Sequence, residues 1–577
     1  MLTRIQIRNF KRLDDVLLEL GKAVVLIGPN NSGKTTALQA LALWDIGVRR
    51  WNEKRKGKSS PEKRPGVTIN RRDLVAIPVP SANLLWRNLH MRDVKRIKRN
   101  EKDTTITQNI RVEIIVDGVT KGKAWSCGLE FDYANEESFY CRPLRAVDQG
   151  RMPIPPEVDD VQVAFLPPMS GLADREFIKQ SGEIGVLIGQ GQTAQVLRNL
   201  CFQIYQQKEN NKYWQEMVDQ VYNLFGVQLQ PPGYISERSE ITMAYKDGHN
   251  NTLDLSSSGR GLQQTLLLLA HLYSNPGTVL LLDEPDAHLE ILRQRQTYNL
   301  LVSVAAQQNS QIIAASHSEV VLSEAAGRDT VIAFVGKPHR IDDRGSQLLK
   351  SLRDIGFDQY YQAEQKGWVL YLENSTDLNI LKSFARRLNH DAHACLEMPY
   401  IHYVETNLPQ RARDHFFGLQ EAKTDLVGIA IFDRLDKQLK SEKGLTELMW
   451  QRREIENYFC QENVLLAYAD YDLPDDLFGS EERQSRAQAM HESIAEVTKF
   501  LEIDELSPWL PDVKASDQVL DRIFRLYFKK LALPLQLRKS DYHLLASFVP
   551  VEQIDSEITE KLDAIVATAQ KAKPRTE

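Results

Sequence analysis

Apolar and polar positions alternate at the start of the chain and then give way to continuous apolar runs. "LTRIQIRNF" has the period of a strand that is buried on one face, whereas "KAVVLIG" is almost wholly apolar. Continuous apolar runs are typical of parallel strands that are covered on both faces. The same pattern returns in "GTVLLLDEPDAHLE" and "QIIAASHS", so the first half predicts an α/β domain over residues 1–335.

Between about 95 and 250 the pattern changes. "TTITQNIRVEIIVDG" and "KAWSCGLEFDY" alternate and are rich in β-branched residues, which predicts antiparallel strands. "TAQVLRNLCFQIYQQ" and "KYWQEMVDQVYNLFG" have the period of amphipathic helices. We interpret this stretch as an insertion of strands and a helical arm, without the heptads of an extended coiled coil.

A second and smaller α/β unit is predicted over 367–465, after a polar linker at 336–366. Its apolar strands are "WVLYL", "PYIHYV" and "VGIAIF", and a helical pattern follows the first of them. Residues 466–577 are acidic and helical in pattern, without a catalytic motif. We expect this C-terminal region to pack on the second unit.

Composition narrows the class of protein. With 42% hydrophobic and 26% charged residues among 577, the chain is typical of a globular protein with several domains. No signal peptide and no apolar stretch of the roughly 20 residues needed to span a membrane is visible. The five cysteines are scattered without a C-x-x-C pair, which argues against zinc and favours the cytoplasm. The net charge of −6 conceals basic stretches at 49–64 and 92–100, which are solvated loops or a phosphate-binding surface.

The segment "GPNNSGKTT" (28–36) follows an apolar strand and opens a helix. This is the context that a phosphate loop of the form G-x-x-x-x-G-K-[ST] needs. Backbone N–H groups and the helix N-terminus would bind phosphate, Lys34 would reach the β- and γ-phosphates, and Thr35 would ligate Mg²⁺. The residues expected to hold ATP here are Gly28, Asn30, Asn31, Gly33, Lys34, Thr35 and Thr36.

Two later strands end in residues that suit hydrolysis of the nucleotide. Asp283 is expected to hold Mg²⁺, and Glu284 is expected to polarise the attacking water as general base. His317 ends the next apolar strand, where it would sense the γ-phosphate. No glutamine could be assigned to the position that follows the phosphate loop in related ATPases.

Upstream of the acidic strand, "LDLSSSGRGLQQTLLLLAHL" places small residues before a long apolar helix. This resembles the signature of ABC-type ATPases, with Ser258, Gly259 and Gly261 as its nucleotide-contacting residues. The order of phosphate loop, signature, acidic strand and histidine strand resembles the RecF/SMC-like branch of that superfamily. The resemblance implies a homodimer, or a higher oligomer, that closes head to tail on two ATP molecules.

Carboxylates follow the strands of the second unit. The order of strand–Glu–helix, strand–Asp and a later Glu resembles a Toprim domain. A Toprim domain after an ABC-type ATPase resembles the OLD (overcoming lysogenisation defect) nuclease family, including its Gabija-A-like and retron-associated effectors of antiphage defence. The metal ligands that the resemblance implies are Glu373, Asp377, Asp433, Asp436 and Glu456, with Glu373 as general acid/base and Mg²⁺ or Mn²⁺ as the metal.

Two positions depart from the family pattern. Asn374 stands where glycine is usual, and the second aspartate of the Asp-x-Asp pair is shifted by one residue, from Leu435 to Asp436. The shift leaves three readings open, namely a site that absorbs it, a site with one metal, and an inactive site. Tyr371, Tyr403 and Tyr458 are interpreted as core packing and not as topoisomerase nucleophiles.

Two functions from different classes remain. The first is an ATP-regulated, metal-dependent nuclease of antiphage defence that cleaves DNA or RNA such as tRNA, alone or with a partner protein or a retron reverse transcriptase and its DNA. The second is an ATP-dependent sensor or scaffold with an inactive Toprim unit that controls a partner toxin. A RecF-like repair ATPase is a third reading, against which the appended second unit counts.

Overall fold

The structure, a computed structural model, describes residues 1–55, 66–74, 76–99, 102–145, 150–168, 171–189, 192–207, 211–341, 355–436, 439, 442–471 and 477–575. The chain forms two compact units, Met1–Arg353 and Asp354–Glu577. Within the described part of the chain, no helix is both long enough and apolar enough to cross a membrane.

Unit 1 contains two large sheets with helices around them. Its strands are β1 (Leu2–Phe10), β2 (Leu13–Glu19), β3 (Ala23–Ile27), β4 (Val67–Asn70), β5 (Arg92–Arg99), β6 (Lys102–Asn109), β7 (Val112–Thr120), β8 (Lys123–Asn135), β9 (Ser138–Pro143), β10 (Val163–Leu166), β11 (Glu176–Phe177), β12 (Gln228–Leu229), β13 (Gly233–Ile235), β14 (Glu240–Thr242), β15 (Ala244–Lys246), β16 (Thr252–Asp254), β17 (Val279–Asp283), β18 (Gln311–Ser316), β19 (Thr330–Ala333) and β20 (His339–Arg340). Its helices are α1 (Lys34–Arg55), α2 (Ser181–Gly189), α3 (Leu197–Gln206), α4 (Asn211–Phe225), α5 (Arg260–Ser274), α6 (Ile291–Gln307) and α7 (Glu319–Ala325).

The central sheet of unit 1 has the strand order β10-β17-β18-β3-β19-β20. Its strands are parallel except for β20, which runs antiparallel to β19. The three apolar runs that predicted buried parallel strands are β3, β17 and β18, and they are neighbours in this sheet. Parallel strands present their carboxyl ends at one edge, so the segments that follow β3, β17 and β18 emerge together.

The second large sheet is antiparallel, with the order β2-β1-β7-β8-β9-β4. The alternation in β1 places Leu2, Ile5, Ile7 and Phe10 in the core, as the sequence predicted. Helix α1 packs against strands of both large sheets through a buried and mainly apolar set of side chains between Ala37 and Trp51. Helices α3, α4 and α5 cover the opposite face of the central sheet through a separate apolar core.

The stretch predicted as an insertion contributes strands to both large sheets. Strand β7 pairs with β1 along its length, and β10 forms an edge of the central sheet beside β17. Strands β5 and β6 instead form a separate two-stranded hairpin, which carries the basic stretch 92–100 as far as Arg99. Pairings between strands so distant in sequence depend on packing and leave no local signal, so the sequence could not show which sheets β7 and β10 join.

Unit 2 has a parallel sheet with the order β22-β21-β23-β24. The strands are β21 (Trp368–Leu372), β22 (Ile401–Tyr403), β23 (Val427–Phe432) and β24 (Leu445–Met449). The helices are α8 (Phe357–Lys366), α9 (Ser375–Arg387), α10 (Ala392–Glu397), α11 (Pro409–Ala422), α12 (Glu462–Ala469), α13 (Leu477–Glu502), α14 (Asp521–Lys530) and α15 (Ser556–Lys571).

One apolar core joins the sheet of unit 2 to the helices that follow it. Leu370 of β21, Phe524 of α14 and Leu562 of α15 all belong to this core and are fully buried. The C-terminal region predicted over 466–577 is therefore part of the same compact unit as the sheet. The predicted linker at 336–366 is divided, because β20 belongs to unit 1 and α8 to unit 2, while 342–354 lie outside the described residues.

Candidate functional site

The phosphate loop lies between β3 and α1 and holds a buried lysine. Lys34 is 5% exposed, and its Nζ donates to the carbonyl oxygens of Gly28 and Pro29, each at 2.7 Å. Burial lowers the pKa of Lys34, and the nearby Glu284 and Asp283 act in the opposite direction. The lysine is thus held inside the loop by groups that a phosphate oxygen could replace, which fits a bound nucleotide.

The backbone of the loop requires its glycines. A Cβ on Gly28 would come within 2.8 Å of the carbonyl oxygen of Phe334, and Gly33 has a φ of +103° that favours glycine. Asn31 has a φ of +63°, a conformation that asparagine tolerates better than most residues. Asn30 and Asn31 are exposed and Thr36 is partly buried in the first turn of α1, so the outer rim of the loop is open to a ligand.

Thr35 and Asp283 are paired although they lie far apart in sequence. The Thr35 hydroxyl donates to Asp283 Oδ1 at 2.9 Å. Burial raises the pKa of Asp283, while the bond from Thr35 lowers it. A hydroxyl and a carboxylate at this distance are oxygen donors of the kind that Mg²⁺ prefers, so these two residues fit the magnesium of a bound nucleotide.

Glu284 and His317 face each other from neighbouring strands. Glu284 has a φ of +50°, and its N–H donates to the carbonyl of Ala315 at 2.9 Å. His317 Nδ1 lies 3.7 Å from Glu284 Oε1, and the imidazole is 52% exposed. The left-handed backbone of Glu284 is held by β18, so both side chains are placed at the carboxyl edge of the central sheet, where water and a phosphate could reach them.

The signature segment packs against the loop that follows the acidic pair. The Ser258 hydroxyl donates to the carbonyl of Leu255 at 2.7 Å, and Gly259 is the residue before the first turn of α5. A Cβ on Gly261 would come within 2.9 Å of Leu289, whereas a Cβ on Gly259 would meet nothing within 4 Å. Gly261 is therefore needed for packing within the chain, and Gly259 leaves open space at the helix N-terminus.

A buried arginine that the sequence analysis missed supports this segment. Arg198 is 1% exposed and donates to Asp254 Oδ1 at 3.1 Å and to the carbonyl of Ala173 at 2.8 Å. Glu176, also buried, accepts from the Arg198 backbone N–H at 2.9 Å. Asp254 accepts in turn from the N–H of Ser256 at 2.8 Å. The sequence signal for this role was a charged residue on the face of α3 that is buried, and that face is known only from the fold.

Three carboxylates of unit 2 come from two adjacent parallel strands. Glu373 directly follows β21, Asp377 lies in the first turn of α9, and Asp433 directly follows β23. Burial, together with the charges of Asp377 and Glu373, raises the pKa of Asp433 to about 8. Burial also raises the pKa of Asp377 to about 6, with a contribution from Glu373. The three groups therefore share one electrostatic environment.

Two further carboxylates belong to this environment. Glu454 and Glu456 are each 3% exposed, in and before a short 3-10 turn at Ile455–Tyr458. Burial raises the pKa of Glu456 well above its usual value, and Glu454 and Asp377 add to the effect. Glu454 already accepts from the N–H of Ser516 at 2.5 Å. The carboxylate cluster thus comprises Glu373, Asp377, Asp433, Glu454 and Glu456.

The shifted aspartate does not belong to the carboxylate cluster, because Asp436 is exposed on the loop after β23.

The oxygen donors of the carboxylate cluster suit Mg²⁺ or Mn²⁺. However, among the described residues no three His, Cys, Asp or Glu side chains converge closely enough to hold a metal ion. The chemistry of the carboxylate cluster therefore fits such a metal, whereas its spacing here does not enclose one.

Asn374 caps helix α9. Its side-chain oxygen accepts from the N–H of Thr376 at 2.8 Å, and Asp377 accepts from the N–H of Asn374 at 3.2 Å. The φ of Asn374 is −153°, an extended conformation, so this departure from the family's glycine needs no unusual backbone. Asp377 therefore has a structural partner as well as a place in the cluster.

Two lysines from the C-terminal region lie beside the carboxylate cluster. The pKa of Lys514 is raised by its bond to Asp517 and further by the charges of Glu454 and Asp433. The charge of Lys539 acts to lower the pKa of Asp377, and its Nζ donates to the Ser516 hydroxyl at 3.1 Å. Sequence reasoning found no chemistry in this region, because single lysines in helical segments carry no motif.

The three tyrosines of the second unit differ in exposure. Tyr371 and Tyr458 are buried, as predicted, but Tyr403 is 37% exposed. Burial raises the pKa of Tyr403, and the charge of Asp377 raises it further. The prediction of core packing was wrong for Tyr403, because β22 ends at this residue and leaves its ring at the sheet's carboxyl edge.

Comparison with known proteins bears mainly on unit 1. Residues 1–116 match the family model described as "AAA ATPase domain", and residues 198–323 match the one described as "AAA domain, putative AbiEii toxin, Type IV TA system". A curated OLD nuclease from Thermus scotoductus is 49% identical over 43 residues, which cover 8% of this chain and 8% of that protein.

Among solved structures, the SMC head domain from Thermotoga maritima gives a TM-score of 0.33 at 14% identity, covering 59% of this chain and 98% of that one. An Smc head domain with an extended coiled coil, bound to the C-terminal domain of ScpA and derived from Pyrococcus furiosus, gives 0.33 at 12% identity, covering 61% and 99%. At these scores the likeness decides nothing about the site. The two family models and the order of motifs along the parallel sheet support ATPase function in unit 1.

Proposed function

We propose that the protein is an ATP-binding and ATP-hydrolysing, metal-dependent nuclease that cleaves phosphodiester bonds in DNA or RNA during antiphage defence. The observation that carries the nuclease is the carboxylate cluster of unit 2. Several buried carboxylates that raise one another's pKa destabilise a fold unless a cation or protons compensate them. Their place at the carboxyl edge of a parallel sheet is where ligands of such sheets commonly bind.

In unit 1 the residues divide the work on ATP. Lys34 and the N-terminus of α1 would bind the phosphates, and Thr35 and Asp283 would hold the accompanying Mg²⁺. Glu284 would accept a proton from the attacking water, and His317 would contact the γ-phosphate. Ser258, Gly259 and Gly261 would cap the nucleotide of a second copy, so that ATP controls dimerisation of the ATPase domains and, through it, unit 2.

In unit 2 the metal ligands would be Glu373, Asp377, Asp433 and Glu456, with Asp436 left outside because it is exposed. A bound Mg²⁺ or Mn²⁺ would neutralise charge on the scissile phosphate and orient water. Glu373, at the end of its strand, would act as general acid/base. Lys514 and Lys539 would hold the negatively charged backbone near the carboxylate cluster, since lysines bind phosphates as point charges.

The proposed role in antiphage defence is supported by the comparisons, and the proposed contact with nucleic acid is supported by charge. The short match is to an OLD nuclease, and the description of one family model names an AbiEii toxin and a Type IV TA system. The basic hairpin β5–β6 is a candidate for nucleic-acid contact, because a two-stranded ribbon fits the major groove. These two matches each cover a small share of the chain, and the proposed partner is a second protein or a retron complex.

A second function has its own observation. The carboxylate cluster does not close around a cation, and Glu454 is bonded to a backbone N–H. Both facts favour an ATP-dependent sensor or scaffold whose unit 2 is inactive and which controls a partner toxin or effector.

The deciding experiment incubates the purified protein with supercoiled DNA, linear DNA and tRNA, with Mg²⁺ or Mn²⁺, with and without ATP. Glu373→Ala and Asp433→Ala are compared with the wild type, and Asp436→Ala is the matched control for an exposed aspartate. Cleavage that both cluster variants lose and the control retains supports the nuclease. Absence of cleavage, even with extract from infected bacteria, supports the sensor.

A further inference from the structure

An exposed tryptophan lies on a loop near the carboxylate cluster. Residues 509–512 are all exposed, between the buried Pro508 and Val513. Trp509 itself is 37% exposed. Tryptophan is usually highly buried, and exposed aromatic residues beside polar groups are enriched where proteins bind ligands.

The loop is fastened to the segment that supplies two of the carboxylates. The N–H of Arg453 donates to the carbonyl of Pro511 at 2.8 Å, and Asn457 Nδ2 donates to the carbonyl of Val513 at 2.8 Å. Just beyond it, the N–H of Ser516 donates to Glu454. Trp509 is therefore carried on a backbone that is tied on both sides of Glu454, which limits the loop's freedom to move away from the cluster.

Positive charge accompanies this tryptophan. Arg434 directly follows Asp433, and its N–H donates to the carbonyl of Arg453 at 3.2 Å. Its guanidinium lies 2.5 Å from Asp512, which keeps it on the same loop as Trp509. Arg453 is exposed, and Lys514 is the next cation along the chain. The loop thus carries an exposed aromatic ring, and the segments joined to it carry cations, of which Arg434 pairs with Asp512 and Lys514 with Asp517. Aromatic rings bind single-stranded nucleic acids by base stacking, and cations bind their phosphates.

We propose that Trp509 stacks on an unpaired nucleobase, so that the substrate is a nucleic acid with an unpaired nucleotide next to the bond that reaches the carboxylate cluster. This inference rests on the proposed nuclease function. In a duplex both faces of a base are covered by its neighbours, so a tryptophan can stack only where the base is unpaired or at a strand end. Both single-stranded DNA and RNA loops present this chemistry.

The test measures binding, so that it does not depend on cleavage. Fluorescein-labelled single-stranded DNA, single-stranded RNA and a duplex of the same sequence are titrated into the full-length protein in EDTA. The variants are Trp509→Ala and Trp509→Phe, with Tyr471→Ala as a control, because Tyr471 is exposed on unit 2 and packs on Phe548. We expect Trp509→Ala to weaken single-strand binding about tenfold, Trp509→Phe to retain most of it, and duplex affinity to change less than about twofold.

Equal single-strand affinity of Trp509→Ala and wild type would overturn the proposal, as would equal weakening for single strands and duplex, or no binding by the wild type. A difference between the DNA and RNA arms identifies the substrate's sugar. Thermal melting checks that the variants fold, and Trp509→Phe preserves the ring if the alanine variant does not. If Trp509→Ala weakens single-strand binding but the wild type cleaves no substrate in the earlier assay, the nuclease proposal fails and the stacking site is retained.

Discussion

The two candidate centres lie at equivalent places, the carboxyl edges of parallel sheets, but their charges are balanced in different ways. In unit 1 the buried Lys34 accompanies Asp283 and Glu284, and Asp283 accepts from Thr35 at 2.9 Å. In unit 2 the carboxylates mainly face one another, and the pKa of Asp433 is raised to about 8. The nearby lysines, Lys514 and Lys539, are side chains with 46% and 44% exposure at the rim.

The difference follows from the charge of the expected ligand. A site for a polyanion needs its own cation in place before the ligand arrives, and unit 1 has one. A site for a cation must gather acids, and without the ion these acids repel one another. Unit 1 therefore has a partly compensated site, in which Lys34 lies near Glu284, Asp283 and Asp286. The carboxylates of unit 2 instead raise one another's pKa, an effect that the proposed divalent ion would oppose.

The largest expected effects come from substitutions in the ATP site of unit 1. Lys34→Ala should weaken ATP binding about 100-fold or more, because it removes the cation that contacts the β- and γ-phosphates. Glu284→Gln should keep ATP binding and slow hydrolysis about 100-fold, the usual contribution of a general base. Fluorescent-nucleotide titration and phosphate release measure the two effects. Wild-type hydrolysis by Glu284→Gln would show that Glu284 is not the base.

The next effect tests the repulsion in unit 2. Because the folded pKa of Asp433 is raised from its ordinary value of 3.8 to about 8, its stabilising proton is fully present below pH 3.8 and lost as pH rises through 8. Asp433→Asn should therefore stabilise the metal-free protein at pH 8, by roughly 2 kcal/mol, and have little effect near pH 4.

Denaturant titration in EDTA at the two pH values measures this change, with Asp436→Asn as the exposed control. Addition of Mg²⁺ should then stabilise the wild type more than Asp433→Asn, since only the wild type keeps the full set of ligands. Equal stabilisation of both proteins by Mg²⁺ would count against a metal at the carboxylate cluster.

Acid should act on a buried histidine of unit 1 in the opposite direction. Burial lowers the pKa of His271 from 6.5 to about 4, and its Nδ1 lies 3.1 Å from Asn275 Nδ2. The neutral histidine's contribution to stability is present above pH 6.5 and is lost as pH falls towards 4. We expect His271 to contribute a loss of roughly 2 kcal/mol at pH 5 relative to pH 7, and His271→Gln to remove that contribution.

Hydrogen exchange of peptides from β17 and β18 reports on unit 1 separately from the sheet of unit 2. In unit 2, burial also lowers the pKa of His415, from 6.5 to about 3. As pH falls, protonation of Asp433 should stabilise the sheet of unit 2 mainly between pH 8 and 6.5, because below pH 6.5 the buried neutral His415 offsets that gain. An identical pH response of the two units would remove the contrast between them.

The smallest expected effect sharpens the picture of unit 1. Asp254→Ala removes the carboxylate that accepts from the buried Arg198 and from the N–H of Ser256. We expect this change to lower the stability of the signature segment by about 1 kcal/mol. We expect ATP hydrolysis to fall several-fold with unchanged ATP affinity, because the signature and not the phosphate loop is disturbed. Asp247→Ala, whose carboxylate bonds only within its own exposed turn as far as the structure describes it, is the matched control.

Local patterns accounted for much of unit 1. The apolar runs predicted β3, β17 and β18, and the motif at 28–36 predicted the turn into α1, because strand, loop and helix are adjacent in sequence. In unit 2 the same reasoning located Glu373 and Asp433 at strand ends. It could not show that Asp436 is exposed, because one residue of register at a strand end decides which way a side chain points.

The sequence by itself determined the elements, the phosphate loop and the residues that follow each buried strand, since these depend on periodicity and on neighbours within a few residues. Only the tertiary structure decided that β7 and β10 belong to the large sheets, that Arg198 supports the signature, and that Lys514 and Trp509 lie near the carboxylate cluster. These placements depend on contacts between distant segments. Their free energy comes from burial and charge in the folded chain, and no local pattern records it.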